Sequence, residues 1–205
     1  MADLVSGRYG QSAPAYALVG DQNNATQTYI PARSTFEWLT MGQLGDNAAA
    51  ASGAFLYAAV PCDPGVMIST VTVWVGNTAA STPTHHAAAI YSGLASAPAL
   101  LAKSADQTTT AVPAGAAFSY SLTSPYFVKA SDVVNGYLYA GFTMTATAVC
   151  TVAGASAAQV ANVNIQYSTN QPFLAGTSGS ALAGVPASTL TLAASTLHQP
   201  VVILT

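Results

Sequence analysis

Charge is what this sequence has least of. Charged residues make up 5% of its 205 positions, against about 25% in an ordinary soluble domain. Glu37 is the only glutamate, and no side chain beyond Asp132 carries a formal charge. A chain exposed on every side relies on surface charge to stay dissolved. Such neutrality fits a subunit covered by copies of itself or by partners. The alternative is an ordinary secreted β protein with a Ser/Thr surface. The four basic residues, Arg8, Arg33, Lys103 and Lys129, cannot line a phosphate backbone, which excludes nucleic acid as a partner.

Cysteine is nearly as scarce. Cys62 and Cys150 alone cannot supply the four ligands of a structural zinc site. They read as separate, reduced, buried side chains, with a disulfide between distant strands as the sharper alternative. Long apolar runs are missing too. The most apolar stretch, "AAAASGAFLYAAV", is too short to span a bilayer, so no membrane insertion is expected. The opening "MADLVSGRYGQS" has no basic segment followed by an apolar one, and so does not read as a signal peptide. An extracellular-looking composition without an export signal fits a virion protein, made in a host cytoplasm and released by lysis.

Catalytic signatures are absent as well. There is no P-loop and no G-x-G-x-x-G, and "GTSGSALAG" (176–184) is not G-x-S-x-G. The expectation is a non-enzyme with no cofactor and no metal. A hydrolase would require His85, His198, Asp106 or Asp132 to gather in one cleft.

What is present divides the chain in two. Residues 1–50 hold scattered Gly and Pro around "GDQNNATQT" and keep no helical or strand period for long. They read as an extended N-terminal docking arm, with one helical turn near "STFEWLTMGQL", where Ser34 and Glu37 match a capping box. Spaced aromatics on such a chain serve as anchors for pockets on a partner: Tyr9, Tyr16, Tyr29, Phe36 and Trp38.

Residues 51–205 read as a β domain. "TVTVWVG" (70–76) alternates, with Val71, Val73 and Val75 on one face and Thr70, Thr72 and Trp74 on the other. "HAAAIYS" (86–92), "ALLAKS" (99–104), "AAFSYSLT" (116–123) and "PYFVK" (125–129) follow as further strands. In "GYLYAGFTMTATAV" (136–149), Leu138, Ala140, Phe142 and Met144 point in, and Tyr137, Tyr139, Thr143 and Thr145 point out. Short strands with turn residues at the breaks predict an all-β fold. Specifically, they predict a jelly-roll-like antiparallel β-sandwich, with a long irregular loop over 153–198 before a final strand, "PVVILT".

His85 and His86 are neighbours on a predicted strand and must face opposite ways, so they cannot share a metal. His86 falls on the inward parity and His85 on the outward one. Trp74, Tyr137 and Tyr139 share an outward parity. On adjacent strands they would form an aromatic patch, either an interface or a sugar-stacking surface.

The segments "STVTVWVGNTA", "AAAIYSGLASAPALLAKSADQTT" and "FSYSLTSPYFVKASDVVNGYLYAGF" resemble jelly-roll modules in minor tail proteins of tailed phages of actinobacteria. The resemblance covers about a third of the chain and carries no catalytic motif. It implies a virion structural protein, most directly a minor tail or tail-tip subunit. It also implies a homo-oligomer (trimer or ring) that contacts other virion proteins and docks through its N-terminal segment. A head-surface decoration protein is one alternative. A receptor- or carbohydrate-binding module acting on a host surface glycan is another.

Overall fold

The computed structural model describes residues 16–19, 28–31, 44–47, 50–93, 97–134, 136–155, 175–192 and 199–205. All regular structure among them is strand. The elements are β1 (Tyr16–Val19), β2 (Thr28–Pro31), β3 (Leu44–Asn47), β4 (Phe55–Pro61), β5 (Met67–Trp74), β6 (Ser81–Tyr91), β7 (Leu100–Lys103), β8 (Ala117–Phe127), β9 (Tyr137–Ala148), β10 (Val152–Ala155), β11 (Ala175–Ser178), β12 (Gln199–Pro200) and β13 (Val202–Leu204).

Two antiparallel sheets form the sandwich, one of five strands ordered β11-β4-β9-β6-β7 and one of three ordered β13-β5-β8. The chain crosses between them after β4, β5, β7 and β8, so neighbours in sequence lie in facing layers of an all-β sandwich. The predicted all-β class holds, and so does the return of the last strand beside an early one, with Val202 opposite Val73.

The core between the sheets follows from the alternation. Val71, Val73 and Val75 enter it from one side, and Leu138, Ala140, Phe142 and Met144 from the other, all buried. Cys62 and Cys150 lie in the same core, reduced and not joined to each other, as expected. Burial in apolar surroundings pushes the Cys150 thiol up to about 11.

Three expectations change. "AAFSYSLT" and "PYFVK" are one strand, β8, because the chain absorbs a register slip instead of breaking at Pro125: Thr70 faces Ser121, but Ile68 faces Tyr126. The loop over 153–198 contains β11, which extends the five-stranded sheet along β4. The arm boundary at residue 50 cuts through paired structure, since β3 pairs with β10, with Asn47 opposite Val152. Within the arm, β1 and β2 form an antiparallel pair, with Leu18 opposite Tyr29. Tyr16 and Tyr29 lie on these strands. Tyr9, Phe36, Trp38 and the capping-box residues lie outside the described residues.

Candidate interaction face

The outer face of the β13-β5-β8 sheet is built by the alternation of β5. With Val71 and Val73 inward, Thr70, Thr72 and Trp74 turn out. A parity change beside the slip at Ile68/Thr70 also leaves Met67 and Ser69 outward. Across the ladder on β8, Trp74 faces Ala117, Thr72 faces Ser119, Thr70 faces Ser121 and Met67 faces Phe127. Ile203 of β13 stands beside Thr72.

The face is therefore patterned along its length. Trp74 sits beside the small Ala117 at one end, and Met67 pairs with Phe127 at the other. Hydroxyls fill the middle, where Thr72 Oγ1 and Ser119 Oγ lie 2.8 Å apart. Met67 and Phe127 are each 53% exposed and Trp74 is 40% exposed. Among the described residues only one other large hydrophobic, Val185, is as open. None of the outward residues named on these strands is charged. Met67 and Phe127 escaped the sequence reading because their outward direction depends on the register slip, which periodicity does not reveal.

Tyr137 and Tyr139 are elsewhere. They lie on β9, the central strand of the opposite sheet, so they never meet Trp74, and the predicted three-ring patch does not form. They do point away from the main core, as their parity required, but that side is covered. Tyr137 is 3% exposed and Tyr139 is fully buried.

The cover is residues 179–192, a strap that crosses the sheet from β11 to β7. It makes a second core with Phe55, Tyr57, Tyr91, Tyr137 and Tyr139, into which Leu182, Leu190 and Leu192 pack. The rings meet edge to face: Tyr57 and Tyr139 at 5.4 Å, Tyr137 and Tyr139 at 5.5 Å, Phe55 and Tyr91 at 5.3 Å. The Tyr91 hydroxyl donates to the Ala187 carbonyl at 2.8 Å, and burial raises its phenol well above the ordinary range. At the other end the Leu182 amide donates to the Gly53 carbonyl at 2.8 Å. A side chain at Gly53 would strike the Ala181 backbone at 2.9 Å, so only glycine lets the strap pass. The leucines were the available sequence signal, but they are unevenly spaced in an Ala/Ser/Thr run.

The histidines behave as scaffold. His86 is fully buried, with its ring edge-on to Phe118 and Tyr120. Its Nε2–H donates to the Thr110 carbonyl at 3.0 Å and its Nδ1 accepts from the Tyr120 hydroxyl at 3.1 Å. That pattern is the neutral imidazole, and burial holds its pKa below the usual value. His85 points the other way and donates from Nδ1 to Asp106 Oδ2 at 2.6 Å. Asp106 Oδ1 accepts from the His86 and Thr108 amides at 3.0 and 3.2 Å. Partial burial works against the Asp106 charge, but the bonds from His85 and the two amides prevail and keep its pKa low.

Asp132 is at the opposite end of β6, where its carbonyl accepts from the Gly93 amide and its carboxylate from Tyr126 Oη and the Lys129 amide. His85 with Asp106 and Asp132 are thus separated along β6 by about 20 Å, and His198 lies outside the described residues. The hydrolase cluster does not assemble among the described residues, nor does any group of three metal-ligating side chains.

Comparison with protein-family models, with curated proteins and with solved structures gave no match.

Proposed function

We propose that this chain is a non-enzymatic structural subunit of a bacteriophage virion, a minor tail or tail-tip protein. In this reading it assembles with other virion proteins through its N-terminal segment and its neutral β surface. The observation that carries the assembly part is the outer face of the β13-β5-β8 sheet. That face gathers Met67, Trp74 and Phe127, exposed, with no charge among the outward residues of its strands. Exposed apolar residues gathered on one face mark a surface that is covered in use. The chain's 5% charge extends the same logic to the rest of the molecule. The tail assignment, in preference to head decoration, rests on the resemblance of the valine, "AIYS" and tyrosine-rich strands.

The test is mass spectrometry of purified particles together with immunogold labelling. Stoichiometric presence at the tail supports the reading, labelling of the head shell moves it to decoration, and absence from particles overturns it.

One observation favours a second reading. Trp74 stands exposed beside Thr72 and Ser119, an aromatic ring next to hydroxyls, which suits stacking on a sugar. Glycan-array binding that Trp74→Ala abolishes would establish a carbohydrate-binding module instead.

A further inference from the structure

We infer that the outer face of the β13-β5-β8 sheet binds the same face of a second copy of this chain, about a two-fold axis lying in the interface and perpendicular to β5. The inference rests on the assembly reading above and gives it a partner and a geometry.

The pattern on the face fits such a pairing. Its two ends differ in a complementary way: Trp74 stands beside Ala117, whereas Met67 stands beside Phe127. A two-fold of this orientation keeps β5 over β5 and β8 over β8 while reversing their direction. Trp74 then lies on the partner's Met67, a sulfur–aromatic contact, and the partner's Phe127 fills the hollow above Ala117. The hydroxyl-bearing middle meets itself. An isologous interface demands such self-complementarity, here Phe127 answered by the small Ala117 and Trp74 by the flexible Met67.

Charge agrees. No side chain on the strands of this face is charged, and Lys129 just past Phe127 is exposed at its rim, so a copy sets no like charges against each other, whereas a charged partner would leave ions unpaired against the face. Size sets the strength. Three strands at about 4.8 Å spacing and about 23 Å of β5 give a footprint on the order of 300 Å². That is well below the roughly 800 Å² per partner of a standard interface. The pair is therefore weak and reversible, with Kd on the order of 10 µM or above, and gains strength only where the chain is concentrated in a particle.

The experiment uses the full chain. Sedimentation velocity over roughly two decades of concentration around that Kd should show a monomer–dimer equilibrium. Trp74→Ala and Phe127→Ala should each weaken it about tenfold, with the melting temperature held. The geometry is read by cross-linking: chains carrying Ala117→Cys mixed with chains carrying Lys129→Cys should join through a short bis-maleimide, and neither should join itself. The buried native thiols do not compete.

A monomer at every concentration overturns the inference, as does a dimer that neither alanine variant weakens. Self-joining of Ala117→Cys overturns it too, because that outcome reverses the axis. A dimer that appears only after residues 1–43 are deleted assigns the face to that segment, and glycan binding lost in Trp74→Ala assigns it to a carbohydrate. Particles that contain the chain while it does not dimerise sink this inference alone. A dimer without particle association sinks only the virion reading.

Discussion

The sandwich has two outer faces, and they differ in what covers them. The five-stranded sheet turns Tyr57, Tyr91, Tyr137 and Tyr139 outward, and the strap over 179–192 converts that side into a second core. The three-stranded sheet turns Trp74, Met67 and Phe127 outward and leaves them exposed. Both sets sit on the side of an alternating strand away from the valine-rich core. Alternation assigns a side chain to a face, and a distant segment decides whether that face is inside or outside.

The comparison breaks most sharply by truncation. Tyr139→Ala should cost about 3–5 kcal/mol, as for other buried aromatics, read as a large drop in the denaturant midpoint. If it costs under about 1 kcal/mol, the strap does not form a core. Loosening the strap is the next effect. Ser178 Oγ accepts the Thr191 amide at 2.9 Å, and Ser178→Ala should cost about 1 kcal/mol, with faster amide exchange confined to 179–192.

Acid comes third. His86 is buried neutral with a lowered pKa, so the unfolded chain takes up its proton first as pH falls below about 6.5. Stability from this group should be full above that pH and decline below it. The decline should vanish in His86→Gln, measured by thermal melts from neutral to mildly acidic pH. Asp106, whose pKa is also lowered, adds stability that is present above the ordinary carboxylate range and is lost as pH falls through its folded value. Trp74→Ala should have the smallest effect, about 0.5–1 kcal/mol, despite removing the same class of side chain as Tyr139→Ala, because Trp74 is 40% exposed. A loss of several kcal/mol there would show Trp74 to be part of the fold.

Much of the inner core was legible in the sequence. Val71, Val73 and Val75 go in, and the Leu138–Met144 alternation goes in. His86 goes in while His85 turns to Asp106. These outcomes depend only on period two within one strand. The aromatic patch was not legible, because it required knowing which strands are neighbours: Trp74 belongs to β5, and Tyr137 and Tyr139 to β9, in different sheets. The Met67–Phe127 end was hidden by a slip in register between β5 and β8, set by pairing across the sheet and invisible within either segment. The break before Pro125 looked like a boundary between two strands, and the ladder resumes beyond it at Tyr126.

The placement of β13 has a consequence for how the chain is made. Its residues pair with β5, with Leu204 opposite Val71, and the strap reaches back to β4 through β11. On the ribosome, the strands that emerge first must wait for partners translated more than a hundred residues later. Such non-local pairing makes folding slow, in the millisecond-to-second range typical of β-sandwiches. Even once β8 has paired with β5, the other side of β5 stays an open edge that accepts any extended chain. A new copy is therefore most prone to aggregation in the interval before Val202–Leu204 has paired with β5.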